Sequence, residues 1–411
     1  MKPITASLGR PAQCFLFALL SALLLMPAHA DQADSDVGNQ IIVTVLINGQ
    51  KAHLFFDTRA DTSILFRKSA DKLGVKTVEP SPGTTPSNTL PGRVRAQQSE
   101  PVQLTIGDAN VTTTFKILDS GSPTSFDGVL AWNFFQNKVI KIDGPKRTVS
   151  FLEKLPEGVE QWPHWKLVDR SARNLGSKWL GFLIPGSNQR SGAVYIDTGA
   201  DAGISLAQRQ LAAWKANNPH AAGTMDAYYA YYYSALNEDL VIREEFWATQ
   251  LKLADGLTFS NVAISLCPPP EEYIPNYVAR LGMFAISQLD IIVDAQTRVI
   301  YIKPAEGRTN APYYNYNRIG AVFEPQSRSG GDLIAHVCKD SPAYEAGVRD
   351  GDVLTKIGTA DPRSLPLGQL WSQPAGTKIN IECRRGEETL KFAITLKEIF
   401  PQAPLSKDAS P

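Results

Sequence analysis

Two stretches of this chain carry an aspartate-threonine pair out of an apolar run and into a turn: Leu54-Phe55-Phe56-Asp57-Thr58-Arg59-Ala60-Asp61 and Val194-Tyr195-Ile196-Asp197-Thr198-Gly199-Ala200-Asp201. A strand that ends by presenting a carboxylate beside an apolar interior costs solvation unless something compensates the charge. Two such carboxylates facing each other provide one solution, because like charges at close range share a single proton instead of both ionising. Asp57 and Asp197 are the two carboxylates so presented.

The elements that must position them are repeated too. Gly128-Val129-Leu130-Ala131-Trp132, Ile142-Asp143 and Arg147-Thr148-Val149 are echoed by Arg280-Leu281-Gly282-Met283, Val293-Asp294 and Arg298-Val299-Ile300. Asp143 and Arg147 find their counterparts 151 positions on, whereas the Asp-Thr pairs lie 140 apart, so the second copy is longer by about eleven residues between its landmarks. The chain contains an internal duplication.

The apolar strand, the Asp-Thr-Gly-Ala-Asp turn and the later apolar-apolar-Gly segment resemble the retropepsin-like (clan AA) aspartic peptidases, here with both lobes fused in one chain. The Ala-Asp after the motif is closer to the retroviral-type branch than to the pepsin branch. This likeness covers residues 38 to 304; the motif is full in the second copy and degraded in the first, where Arg59 replaces the glycine found at Gly199 and Ala131 the one found at Gly282. It implies a mainly β, two-lobed acid-protease-type fold with a pseudo-twofold axis. It also implies an aspartic endopeptidase that cleaves polypeptide with a water activated between Asp57 and Asp197, without cofactor or metal. Thr58 and Thr198 match positions that bond across the lobe interface, and Asp61 and Asp201 match positions that bind substrate backbone. Arg59 places a cation beside the pair, where it favours ionisation of both carboxylates. It either blocks the cleft, contacts substrate or points away. A catalytically impaired homologue acting as a peptide-binding scaffold is the competing reading.

Length and composition set the frame. The 411 residues suffice for two or three domains, and with 41 basic and 41 acidic side chains no global field recruits nucleic acid or an anionic membrane. Lys2 and Arg10, the apolar run Phe15 to Met26, and Pro27-Ala28-His29-Ala30 read as a secretory leader over residues 1–30, with a signal anchor as the alternative. The expected location is the periplasm or beyond, with no stable membrane span after cleavage. Cys267, Cys338 and Cys383 remain, an odd number that argues against a disulfide framework; Cys338 and Cys383 either pair or stay as free buried thiols. His53, His164, His220 and His336 lack metal-binding spacing. Neither a Gly-x-Ser-x-Gly elbow nor a phosphate-cradling glycine loop occurs.

Lobe one spans residues 31–160 and lobe two 161–305. Gln40 to Ile47 reads as a strand, Asn48-Gly49 as a hairpin turn and His53 to Phe56 as the returning strand. Ile64 to Leu73 reads as a short helix closed by Gly74, Glu79 to Gln98 as a mobile loop in the position of a flap, and Val102 to Ile106, Val111 to Leu118, Val139 to Ile142 and Thr148 to Leu152 as strands. In lobe two a helix is expected over Leu206 to Lys215. Tyr228, Tyr229, Tyr231, Tyr232 and Tyr233 form either an aromatic cleft wall or a packed strand.

Beyond the linker, residues 312–400 resemble a bacterial-type PDZ domain, followed by a tail over 401–411. The likeness rests on Ile319-Gly320-Ala321-Val322, Ser341-Pro342-Ala343 and Ala346-Gly347-Val348-Arg349-Asp350-Gly351-Asp352. Ser341-Pro342 starts a capped helix that Gly347 ends, and a hairpin turns at Arg385-Gly386. The resemblance implies that Arg318, Ile319 and Gly320 receive the C-terminus of a peptide or protein partner, beside a pocket of Leu365, Leu367 and Leu370. Docking against the protease lobes is the alternative.

Overall fold

The computed structural model describes residues 40–78, 96–107, 109–119, 126–135, 138–168, 179–186, 191–232, 237–268, 274–306, 316–327 and 330–401. The expected leader over residues 1–30, residues 79–95 of the expected flap loop, Tyr233, nearly all of the linker and the tail from residue 402 lie outside them. The fold is mainly β.

The first repeat contributes β1 (Ile42–Ile47), β2 (Gln50–Asp57), β3 (Ile64–Phe66), α1 (Arg67–Lys72), β4 (Thr77–Val78), β5 (Ala96–Ser99), β6 (Val102–Ile106), β7 (Ala109–Thr113), β8 (Lys116–Leu118) and β9 (Gly128–Ala131). They form one curled sheet in the order β4-β5-β8-β3-β9-β2-β1-β6-β7. Asn48 and Gly49 both take positive φ, 50° and 80°, which matches the twist of the β1–β2 hairpin. Every second residue of β1 is buried from Val43 onward, so hydrophobic alternation fixes its register. The centre differs from an ordinary meander: β2 runs parallel to β9, pairing Asp57 with Ala131. Gly128 permits this crossing, because a Cβ there would stand 2.1 Å from the Ile64 carbonyl oxygen.

The chain then enters a second sheet: β10 (Val139–Asp143) and β11 (Thr148–Leu152) close the first repeat, and β12 (His164–Leu167) opens the second. It continues with β13 (Gly181–Pro185), β14 (Ser191–Ile196), β15 (Ile204–Leu206), α2 (Gln208–Asn217), β16 (Gly223–Tyr232), β17 (Asn237–Ala254), β18 (Leu257–Leu266), β19 (Tyr277–Leu281), α3 (Met283–Ile286), β20 (Leu289–Asp294) and β21 (Val299–Pro304). Their sheet order is β11-β10-β20-β21-β12-β13-β14-β19-β15-β18-β17-β16. Here β14 runs parallel to β19, as β2 does to β9.

The two copies meet in β10 and β20, which pair antiparallel with Lys141 opposite Ile292. These two residues are themselves 151 positions apart, so the duplication's symmetry axis passes between them. Arg147 and Arg298, equivalent in the repeat, both adopt positive φ, 53° and 61°. One apolar core runs from Ile41 to Phe400 through both copies.

Four expectations are corrected. Ile64 to Phe66 extends instead of opening a helix, since this buried β-branched and aromatic run pairs with β8 and β9; the helix starts at Arg67. Val111 to Leu118 is not one strand: it breaks between β7 and β8, where Phe115 is fully buried and its N–H donates to Ser99 Oγ at 2.8 Å. The end of the expected 79–98 loop is a strand, β5. In the second repeat Leu206 belongs to β15, so helix α2 starts two residues later than expected. Tyr228, Tyr229, Tyr231 and Tyr232 lie on strand β16, paired with β17; their side chains lie outside the described residues.

The C-terminal module has a separate sheet, β22 (Ala321–Ser327), β23 (Gly330–Val337), β24 (Val353–Ile357), β25 (Lys378–Arg385) and β26 (Glu388–Thr395) in sequential order, with α4 (Pro342–Glu345) and α5 (Leu367–Trp371). Its core includes Ile319, Ala321, Val348, Trp371, Ile381 and Cys383. Ser341 caps α4 by accepting from Tyr344 N–H at 3.3 Å. Cys267, Cys338 and Cys383 are free buried thiols. Among the described residues no helix is long and apolar enough to cross a membrane.

Candidate active site

Each Asp-Thr turn stands where its strand leaves the parallel pair. Asp197 N–H donates to the Leu281 carbonyl at 2.9 Å, holding the turn against β19. The two turns lock reciprocally: Thr58 N–H donates to Thr198 Oγ1 at 3.1 Å and Thr198 N–H to Thr58 Oγ1 at 3.0 Å. Thr58 Oγ1 then donates to the Ile196 carbonyl at 2.7 Å and Thr198 Oγ1 to the Phe56 carbonyl at 2.6 Å. Both threonines are fully buried, and each bond contributes roughly 0.5–1.5 kcal/mol. A valine would fill the space but supply no hydroxyl.

This lock brings the carboxyls together. A Cβ added at Gly199 would stand 3.0 Å from Asp57 Oδ2 and 3.1 Å from Asp197 Oδ1, so both converge on one point above that turn. Gly199 keeps the point clear. Its own N–H donates to Asp197 Oδ1 at 3.0 Å, and Arg59 N–H makes the equivalent bond to Asp57 Oδ1 at 2.7 Å. Arg59 thus performs the backbone task of its glycine counterpart without a positive φ.

Its side chain lies across the second repeat. The guanidinium stacks over the Trp179 ring, 4.2 Å from the centroid, and Nη1 reaches Asp197 Oδ2 at 3.3 Å. A second cation, Arg280 on β19, meets the same oxygen at 3.3 Å. Burial, and then the facing charge of Asp197, raise the Asp57 carboxyl to about 7, against the pull of the Arg59 and Ala60 amides and the Arg59 cation. The Arg59 cation therefore coexists with a protonated partner carboxyl near neutrality instead of driving both to ionise.

The first repeat's other departure is accommodated locally. In the second repeat Gly282 N–H donates to the Gly203 carbonyl at 2.8 Å, and a Cβ on Gly282 would stand 2.2 Å from the Ala202 carbonyl oxygen. At the equivalent place Ala131 N–H donates to Ser63 Oγ at 3.1 Å. A serine hydroxyl replaces the backbone carbonyl, and the methyl group fits.

Asp61 is half-buried just after the first turn, whereas Asp201 is exposed after the second. Desolvation raises the Asp201 carboxyl above its ordinary value, opposed by the Arg147 cation reaching over from the first repeat. Sequence reasoning assigned no role to Arg280 or Trp179. A lone arginine inside the apolar run Tyr277 to Leu281 was the available signal.

In the C-terminal module the amides of Ile319 and Gly320 both donate to Asn317 Oδ1, each at 3.0 Å. Arg318 is buried, its Nε 3.0 Å from Glu398 Oε2, its Nη1 donating to the Ser372 carbonyl at 2.9 Å and its guanidinium over the Tyr316 ring. The expected carboxylate receptor is therefore engaged within the module. Leu365, Leu367 and Leu370 pack half-buried against the module's own core.

With this geometry in view, part of the chain is similar to known aspartic proteases. Residues 43–137 match the family model described as gag-polyprotein putative aspartyl protease, a region that includes Asp57 and ends before the second repeat. The chain is 35% identical over 75 residues to Serine protease HTRA1 from Xenopus tropicalis, which is 18% of this chain and 16% of the length of that curated relative. Among solved structures it is similar to the EIAV protease complexed with the inhibitor HBY-793, at 19% identity and a TM-score of 0.19, over 25% of this chain and 92% of that one.

Proposed function

We propose that this chain is an exported aspartic endopeptidase in which the two repeats are the lobes of one enzyme and a C-terminal PDZ-type module follows. The observation that carries the reading is the convergence of the Asp57 and Asp197 carboxyls on Gly199, under the reciprocal Thr58–Thr198 lock. A water bound between the carboxyls loses a proton to the ionised aspartate while the protonated one donates to the scissile carbonyl oxygen. The water oxygen bonds to the carbonyl carbon; as the C–N bond of the tetrahedral carbon breaks, the aspartate that took the water's proton passes it to the leaving nitrogen, and one hydroxyl proton returns to the other aspartate. Arg59, Asp61 and Asp201 lie next to the pair in sequence and are the candidates for holding the extended substrate. The hairpin β16–β17 occupies the flap position of lobe two.

The leader sequence supports a periplasmic or secreted location. For the PDZ-type module, the Asn317 contacts to the loop amides and the Arg318–Glu398 ion pair favour docking on lobe two over capture of a free C-terminus.

Incubation of the purified chain without its leader with a mixed peptide library at pH 4 to 8, followed by mass spectrometry, tests the proposal. Internal cleavage is expected. Retention of peptides without cleavage would establish the scaffold reading instead.

A further inference from the structure

Buried charge is costly unless paired and bonded, and Arg280 carries one into the interior of lobe two. Its neighbours on β19, Ala279 and Leu281, are fully buried, and Arg280 itself is only 5% exposed. Nη1 lies 3.3 Å from Asp197 Oδ2, and Nη2 donates to Ser205 Oγ at 3.3 Å on β15. Ser205 is paired in register with Ser265, and Ser265 with Glu245, so a buried polar row continues across the sheet. At its far side Arg243 Nη2 donates to both Glu245 and Asp226 at the base of the β16–β17 hairpin.

The charged groups facing Asp197 are Asp57 from β2, Arg59 from the turn after it, and Arg280 from β19. Both cations meet Asp197 Oδ2. Asp57 instead receives two backbone amides, from Arg59 and Ala60. The first repeat offers no equivalent of Arg280: the residue before Leu130 is Val129. The duplication has thus become electrostatically one-sided.

We propose that Arg280 is a positioning residue which, with Arg59, fixes the ionised role on Asp197 and leaves the shared proton on Asp57. This deepens the protease reading and rests on it for its catalytic meaning: Asp197 would be the base that takes the water's proton and Asp57 the acid that donates to the carbonyl. Ser205 holds the guanidinium in place.

Site-resolved ¹³C NMR titration of the two side-chain carboxyls in the full chain without its leader tests this whether or not any peptide is cleaved. In the wild type Asp197 should ionise in the lower step and Asp57 in the upper one. Arg280→Met should raise the lower step by about 1–2 pH units, and Arg280→Lys, which keeps the charge, by less than about half of that. The acid limb of kcat/KM should move upward with the Met variant. Asp57 ionising first in the wild type, or a lower step unmoved in Arg280→Met, would overturn the assignment. Should the Met variant not fold, the wild-type order alone decides.

Discussion

Burial and the facing charge of Asp197 keep the Asp57 carboxyl protonated to about pH 7, so the folded chain ionises this group only in poor solvation. The consequence for stability has a definite sign. Between the ordinary value of 3.8 and about 7 the folded state holds a proton that the unfolded state has released, and stability falls as pH rises through that window. Asn at this position is neutral at every pH. Asp57→Asn should therefore raise the melting temperature at pH 8, and the gain should fade as pH falls below about 4. Thermal unfolding of both chains across pH 3 to 8 checks this, and a difference that does not change with pH would contradict the raised carboxyl.

At the scale of elements, the close approaches differ between the copies. Gly282 has the Ala202 carbonyl oxygen 2.2 Å from where its Cβ would stand, whereas Ala131 sits beneath the Ser63 hydroxyl. Gly282→Ala should destabilise by about 1–3 kcal/mol, while Ala131→Gly should cost about 1 kcal/mol or less. Chemical denaturation of the two variants compares them directly; equal losses would remove the asymmetry.

The same elements show what can be read without coordinates. Asn48-Gly49 announces its hairpin because the turn's φ preference is local, and the 151-residue offset announces the duplication, whereas the antiparallel β10–β20 pairing at its axis becomes visible only in the fold. Ile64-Leu65-Phe66 misleads because a short apolar run suits a helix or a buried strand equally until its neighbours are known. Arg280 escaped a role for a related reason: its partners Asp197 and Ser205 come from other segments of the chain.

At the scale of the whole molecule, the C-terminal module is joined to the second repeat. Phe400 is fully buried between Trp247, with ring centroids 5.4 Å apart, and Tyr316, at 4.5 Å. Tyr316 Oη accepts from the Ile399 and Phe400 amides at 2.9 and 3.0 Å. Met225 of β16 packs with Val322 and Cys338 of the module. The PDZ-like motifs were visible in sequence, with docking as the alternative reading, but this particular contact was not, since Phe400 reads there only as the last residue of the 312–400 segment. Phe400→Ala should cost about 3–5 kcal/mol and lower one transition shared by the second repeat and the module. Calorimetry resolving a separate, unshifted module transition would contradict that union.

The central claim is that Asp57 and Asp197 act together on one water. Its most direct test is kcat/KM of Asp197→Asn against the wild type on a peptide that the wild type cleaves, with the fold of the variant confirmed by its circular dichroism. The expected loss is about 10³-fold or more, because the isosteric amide cannot accept the water's proton. A variant that folds and retains activity within about tenfold of the wild type would contradict the two-aspartate mechanism.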